Sequence, residues 1–349
     1  MQERLRSDLS RLQGRRVLVT GATGALGPAV VSTLTAAGAE VHALVRRNVA
    51  VPGAKATYQG ELTDNARLAA AVEGMDAVVH LAALLHIVDP PPELEATYHR
   101  VNDEATARLV DASLRAGVTT FVSASTIAVY GPSAPGAAPW AEDDSCHPDS
   151  VYARSKLAGE SHVRAARGSN GDPAGVVLRL GAVYGAGVKG NYRRLLDGLS
   201  RGRYVHVGPG HNRRSLVHES DVAAAIALSL IHPAARGQVF NVTDGQLHEM
   251  REIIASMCAA LGRPAPRLRI PLPIARALVA GVDLAAKVAG RHAPVTGAML
   301  DKLLEDVAVS GDRIAHVLGF TPRYDLASGW REVVARMQQR TPLSPGVPS

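Results

Sequence analysis

Tyr152 and Lys156 stand four positions apart in the run YARSK. On a helix that spacing puts both side chains on one face, one turn apart. A phenol titrates near ~10, so taking a proton at neutral pH requires a fall of about three units, roughly 4 kcal/mol. An ammonium group one turn away favours the phenolate. The pair is therefore equipped for general acid–base chemistry. Chance alone supplies about 0.1 such spacings in a chain with 8 tyrosines and five lysines. The pair must be read with its surroundings.

Hydroxyls come first among those surroundings. The run SASTIAVYG, residues 123–131, places Ser123, Ser125 and Thr126 where a strand-like stretch ends. A hydroxyl there can donate to a carbonyl or accept from a carbinol. The plainer alternative is a polar strand end.

A glycine run, TGATGALG at residues 20–27, follows the first apolar stretch and opens a helical pattern. Gly21 permits a tight turn, Gly24 lets backbone approach a pyrophosphate, and Gly27 allows a helix to pack closely on a strand. The helix start then offers free N–H groups to an anion. Gly21, Thr23, Gly24, Ala25, Leu26 and Gly27 are the expected contacts for a dinucleotide phosphate. The alternative is a purely structural turn.

The elements that must position these groups alternate along the chain. Strand-like runs at 15–21, 40–46, 76–83, 119–125 and 175–181 are separated by helical patterns, including 102–117 and 152–167. Continuous apolar strands between helices predict a parallel sheet buried on both faces. Right-handed crossovers then make an α/β doubly wound, Rossmann-type sheet. After residue 185 the rhythm loosens. YVHVGPGHNRRSLVH (204–218) reads as two strands around a Gly-Pro-Gly turn, ESDVAAAIALSLIH as a helix, and QVFNVT (238–243) as a strand. The expected division is an N-terminal extension (1–13), a Rossmann domain (14–184, rejoined at about 213–245) and a smaller substrate lobe (185–212 and 246–338). A flexible tail (339–349) ends the chain.

The G-x-x-G-x-x-G spacing resembles the short-chain dehydrogenase/reductase family. The length and long C-terminal part resemble its extended branch, the NAD(P)-dependent epimerase/dehydratase enzymes acting on sugar nucleotides. Further likenesses follow in order across residues 15–245. HLAA (80–83) is similar to the strand that floors the nicotinamide pocket, which implies roles for Leu81, Ala82 and Ala83. VNDEAT (101–106) resembles V-N-x-x-G-T, implicating Asn102. ELT (61–63) puts Glu61 and Leu62 near the adenine, with Glu where Asp is commoner. Val183 also falls at a cofactor position. Counting back four from the tyrosine of V-Y-G selects Thr126, leaving Ser123 and Ser125 to the strand. The resemblance implies hydride transfer at a carbinol or keto carbon. Tyr152 moves the proton, Lys156 positions ribose and tunes Tyr152, and Thr126 orients the reacting oxygen.

Two local features refine that expectation. NAD-binding relatives end the second strand with an acid, whereas this sequence has Val45, Arg46 and Arg47. Arginine forks suit a 2′-phosphate, so the expected cofactor is NADP in preference to NAD. The family's 4,6-dehydratases carry Asp-Glu after the catalytic hydroxyl. Ile127 and Ala128 stand there instead and cannot transfer protons. Ketoreduction or 4-epimerisation of a nucleotide sugar is left, and the arginine pair tilts the choice towards reduction.

Substrate signals come from RRSLVHESDVA (213–223), similar to R-x-F-V-H-V-x-D-V. That likeness implies contact of Arg214 with a nucleotide diphosphate, and of Asn191 with phosphate. Leu216 replaces the usual aromatic and Ala186 a proline, which weakens the case for a UDP-sugar. His218 and Asp221 read as structural, Asp221 as a helix cap. LGFTP (318–322) resembles the family's closing L-G-W-x-P and reads as packing.

Composition bounds the rest. The net charge is +6, but the charges are dispersed and not interleaved with aromatics, so no nucleic-acid partner is expected. Two cysteines, Cys146 and Cys258, cannot build a disulfide framework, and the 13 histidines show no metal spacing. The first residues lack the apolar stretch of a signal peptide. The window 270–290 is interrupted by Arg276, Asp283 and Lys287, short of the ~18 apolar residues of a membrane span. It reads as an amphipathic helix lining a pocket or a subunit contact. A cytoplasmic enzyme is expected, and the resemblance implies a homodimer through the helices at 102–117 and 152–167. Two other functions stay open: a hydroxysteroid-like or other apolar alcohol dehydrogenase on this fold, and a non-catalytic NADP-binding sensor.

Overall fold

In β1 (Arg16–Thr20), Val17 and Val19 point to one side and Leu18 to the other, and all three are fully buried. Side chains that alternate at period two and are buried on both faces mark an interior parallel strand. The computed structural model describes residues 9–340 except 86, 88–90, 188, 189, 203, 267 and 289–295. The expected tail beyond residue 340 and the first eight residues lie outside the described residues.

The chain continues through α1 (Gly27–Ala36), β2 (Glu40–Val45), β3 (Ala56–Gln59), α2 (Asn65–Val72) and β4 (Ala77–His80). A short helix α3 (Glu95–Tyr98), a π-turn (His99–Glu104) and α4 (Ala105–Arg115) lead to β5 (Thr120–Thr126), α5 (Val151–Ala165) and β6 (Gly175–Leu180). After β7 (Ala182–Tyr184) come α6 (Asn191–Ser200), β8 (His206–Val207), β9 (Arg213–Arg214), β10 (Leu216–His218), α7 (Glu219–Ile231) and β11 (Val239–Val242). The remainder is β12 (His248–Glu249), α8 (Met250–Ala260), β13 (Arg269–Ile270), α9 (Leu272–Val288), α10 (Gly297–Leu304), α11 (Asp312–Leu318) and α12 (Leu326–Arg340).

Seven strands form one parallel sheet in the order β11-β6-β5-β4-β1-β2-β3. This is the doubly wound α/β arrangement, with a reversal of strand order between β1 and β4. One face of the sheet packs Val17, Val19, Val79 and Leu178 on α1 and α7. The other packs Leu18, Val78, Phe121 and Val177 on α2, α4 and α5. A third apolar cluster joins Leu196, Ile253, Met257 and Cys258 to Trp330 and Val333 of α12. Leu318 and Phe320 of the LGFTP run pack into the first cluster, as expected of a packing segment.

Three expectations need correction. The edge strand β3 was missed: ATYQ alternates half-buried and exposed residues and has no apolar run to announce it. Strands do flank the Gly-Pro-Gly turn of segment 204–218 as expected, but they do not pair with each other: β8 pairs with β13 and β9 with β12. Asp221 does not cap its helix. His218 does, its Nδ1 accepting from the Ser220 N–H at 3.2 Å. The Asp221 carboxylate instead accepts the N–H groups of Arg323 and Tyr324 at 2.9 and 3.2 Å, fastening the chain before α12.

Candidate active site

The glycine loop sits against the end of β4. Gly21 has φ +72°, and a Cβ there would lie 2.6 Å from the Ala82 nitrogen and 2.8 Å from the Leu81 carbonyl carbon. Only glycine fits both demands. A Cβ at Gly27 would lie 2.1 Å from the Ala22 carbonyl oxygen, so α1 starts in direct contact with the loop. The Gly24 N–H donates to Gly21 O at 2.9 Å, while Thr23 and Gly24 are exposed. The first turn of α1 has no side-chain cap and no acid, and Ala25 and Leu26 leading into it are half-buried. Free N–H groups at such a helix start suit an anion. This cradle fits a dinucleotide pyrophosphate.

Leu81, Ala82 and Ala83 follow β4 directly and are half-buried. Arg46 and Arg47 follow β2 on the same edge of the sheet and are exposed. Beyond β3, Glu61 is exposed and accepts the Thr63 hydroxyl at 3.4 Å, while Leu62 packs against the α2 face. Val183, in β7, is half-buried beside the core.

Sheet order brings the acid–base groups together. Thr126 ends β5, and its Oγ1 accepts the Ala128 N–H at 3.2 Å, capping the short turn that follows. Ser150 caps α5 by accepting the Ala153 N–H at 3.2 Å, which starts the helix one residue before Tyr152. The Thr126 side chain lies near the Tyr152 hydroxyl and acts to lower its pKa. Burial pushes the Tyr152 hydroxyl up to about 12, against the downward pull of Thr126. Burial lowers the Lys156 ammonium to about 8, opposed by the Glu160 carboxylate. The downward shift of the tyrosine expected from the Tyr-Lys spacing is thus not a property of the protein alone. Desolvation outweighs every stabilising contact that the chain supplies.

A buried polar chain runs beneath this pair. The Thr106 hydroxyl donates to Asn102 O at 2.8 Å, so it accepts from His80 Nε2 at 3.1 Å. His80 Nδ1, 2.7 Å from Thr20 Oγ1, is then the acceptor of the Thr20 proton. Thr20 Oγ1 accepts in turn from the Ala82 N–H at 3.4 Å. Burial and the nearby Lys156 charge press His80 down to about 3, so the ring is neutral. Asn102 is buried with its amide fully engaged. Its Oδ1 accepts from Leu84 N at 2.8 Å, and its Nδ2 donates to Leu84 O and Ser155 Oγ, both at 3.0 Å. It ties the β4 loop to α5. Ser155 completes the link by donating to Tyr152 O at 2.8 Å.

Sequence reading missed three supports. Tyr98 sets its ring edge-on to Tyr152, centroids 6.2 Å apart, and its hydroxyl donates to Leu85 O at 2.8 Å. Nothing in its local sequence signals this. Glu160 does carry a signal, since it lies four residues after Lys156 on the same helical face. Its carboxylate takes Arg179 Nε at 3.1 Å and Nη2 at 2.8 Å, and accepts the Ser125 hydroxyl at 2.5 Å. The Arg179 guanidinium also lies 4.8 Å from the Tyr130 ring centroid. Ser125 is thus an anchor next to Thr126, consistent with leaving it out of the reactive set.

Asn191 opens α6 and borders a small cavity of about 40 Å³ lined by Val183, Tyr184, Gly190, Tyr192 and Trp330. Arg214 Nη2 donates to Lys302 O at 2.8 Å, and its charge acts on the Tyr192 hydroxyl.

The sequence profile of the NAD dependent epimerase/dehydratase family matches residues 17–243. The chain is 27% identical over 332 residues to a UDP-glucose 4-epimerase of Vibrio cholerae, covering 94% of this chain and 97% of that protein. It is 28% identical over 327 residues to a 3 beta-hydroxysteroid dehydrogenase/Delta 5-->4-isomerase of Mycobacterium tuberculosis, covering 88% and 86%. Among solved structures, MoeE5 in complex with UDP-glucuronic acid and NAD superposes with a TM-score of 0.73 at 28% identity, covering 93% of this chain and 100% of that one.

Proposed function

Because the chain belongs to the NAD dependent epimerase/dehydratase family, we propose that this enzyme is an NAD(P)-dependent 4-ketoreductase or 4-epimerase of a nucleotide sugar. The observation that carries the reading is the placement of the Tyr152 hydroxyl within reach of Thr126, which acts to lower its pKa, one helical turn from buried Lys156. The names of the Vibrio cholerae relative and of the MoeE5 complex support a UDP-sugar as the substrate class.

Gly21, Gly24 and the first turn of α1 would hold the pyrophosphate, and Leu81 to Ala83 would border the nicotinamide. A nicotinamide bound there supplies a carbon that gives or accepts a hydride. Thr126 then orients the substrate oxygen, and Tyr152 moves a proton at that oxygen. Lys156 stands behind Tyr152 to position ribose and lower the cost of the phenolate. Arg46 and Arg47 favour NADP through bidentate contact with a 2′-phosphate. Ile127 and Ala128 leave no acid for dehydration. The lobe formed by residues 185–212 and 246–338 takes the nucleotide, with Asn191 and Arg214 on phosphate. The active unit is a homodimer through the helices at 102–117 and 152–167.

The test is a screen of UDP-keto-sugars and UDP-sugars with NADPH and NADH, alongside a thermal-shift assay with UDP. Turnover, with a UDP-induced shift lost in Arg214→Ala, is expected. A second reading, oxidation of an apolar alcohol, is favoured by the name of the Mycobacterium tuberculosis relative. Turnover of a hydroxysteroid without any UDP-induced shift would replace the first reading with the second.

A further inference from the structure

The helix α9 (Leu272–Val288) turns an apolar surface outward. Ile274 is 53% exposed, Leu278 57%, Val282 42% and Leu284 65%, and Leu268 just before it is 68% exposed. At 100° per residue these four helical positions, with the exposed Ala277, Gly281 and Ala285 among them, sweep an uninterrupted apolar arc of about 160°. Ala275 is buried on the other side, and Arg276 there reaches Asp301 of α10 at 3.3 Å. The helix thus has its polar contacts toward the protein and its apolar arc toward the outside. An exposed contiguous patch of this kind marks an interaction surface rather than scattered surface leucines.

Charge identifies the occupant. Between residues 263 and 287 the sequence carries five basic residues, Arg263, Arg267, Arg269, Arg276 and Lys287, against one acid, Asp283. Their balance of +4 is most of the chain's +6. Arg263 and Arg269 are exposed, whereas Arg276 is engaged by Asp301 on the far side of the helix. A second copy of this chain would bring the same positive charge to the contact, which opposes self-docking. An anionic bilayer surface satisfies both features, burying the apolar arc at the headgroup boundary while its lipid charges meet the arginines. No helix among the described residues is long and apolar enough to cross a membrane. We propose that α9 binds peripherally to an anionic phospholipid membrane, lying in its interface.

The placement bears on the site. α9 rests on α10, whose Lys302 donates to Asp149, three residues before Tyr152, at 2.6 Å, and whose Lys302 carbonyl accepts from Arg214. Membrane docking would therefore hold α10, to which Arg214 is fastened through the Lys302 carbonyl, next to the bilayer.

The test is co-sedimentation of the full chain with vesicles of phosphatidylcholine alone and of phosphatidylcholine with phosphatidylglycerol, at low and high salt. Binding to the anionic vesicles at least ~10-fold above the neutral ones, weakened by salt, is expected. Ile274→Asp with Leu278→Asp should abolish it while the melting temperature stays unchanged, since both side chains already face outward. Arg263→Glu with Arg269→Glu should weaken anionic binding selectively. Failure to bind anionic vesicles at low salt overturns the proposal. So does a dimer on gel filtration that the Asp pair converts to monomer, because the arc would then be a subunit contact.

Discussion

Glu160 and Arg179 form a buried bidentate ion pair directly behind the acid–base helix, with Nε at 3.1 Å and Nη2 at 2.8 Å from the carboxylate. Their side chains are only 2% and 3% exposed. Glu160 belongs to the helix of Tyr152 and Lys156, and Arg179 to the strand beside the one ending at Thr126. Because Glu160 also accepts from Ser125, the pair fixes helix, strand and hydroxyl in one frame.

Removing one partner leaves an uncompensated buried charge. Glu160→Gln should therefore destabilise the fold by about 3–5 kcal/mol in urea unfolding. The double variant Glu160→Met with Arg179→Met should recover much of that loss. A Glu160→Gln penalty below about 1 kcal/mol would show that the pair does not organise the site.

Tyr152→Phe keeps the ring and its contact with Tyr98 but removes the proton carrier. Turnover should fall about 10²–10⁴-fold, with cofactor binding by fluorescence titration unchanged. Retained activity would refute the assignment of Tyr152 as the acid–base group.

Lys156 yields a prediction with a defined sign. Its pKa is depressed by burial from the ordinary lysine value to about 8. Below about 8 both folded and unfolded chains carry the proton, so the folded state bears the whole desolvation penalty, roughly 3 kcal/mol. The penalty fades as pH rises from about 8 through 10.5. Lys156→Met should therefore stabilise the ligand-free protein at pH 7 and lose that advantage by pH 10.5. An advantage independent of pH would contradict the assigned shift.

Arg46→Ser with Arg47→Ser should lower kcat/KM for NADPH by roughly 10–100-fold and leave that for NADH nearly unchanged, since only the 2′-phosphate contacts are lost. A wild-type enzyme that already prefers NADH would sink the NADP assignment.

Gly27→Ala places a methyl group 2.1 Å from the Ala22 carbonyl oxygen, a backbone atom that cannot rotate away. We expect a loss of about 1–3 kcal/mol in stability together with loss of dinucleotide affinity. The comparison variant Gly198→Ala, where a Cβ meets nothing within 4 Å inside helix α6, should keep dinucleotide affinity and raise stability by up to about 1 kcal/mol. Equal behaviour of the two variants would show that the loop does not depend on close approach.

What the sequence by itself determined is local. The strand-loop-helix of residues 16–36, the one-turn spacing of Tyr152 and Lys156 and the apolar runs of the interior strands depend on backbone periods of two and 3.6 residues. Those periods are written over a few consecutive positions. What only the tertiary structure decided is non-local. The approach of Thr126 to Tyr152, the edge contact of Tyr98, the link from His80 through Asn102 to Ser155 and the pairing of β8 with β13 join residues far apart in the chain. The edge strand β3 escaped notice because a half-exposed strand needs no apolar run, and Asp221 because its partners lie a hundred positions downstream. The upward shift of Tyr152 was likewise invisible. Spacing reports which charges are near, whereas desolvation depends on everything packed around the group.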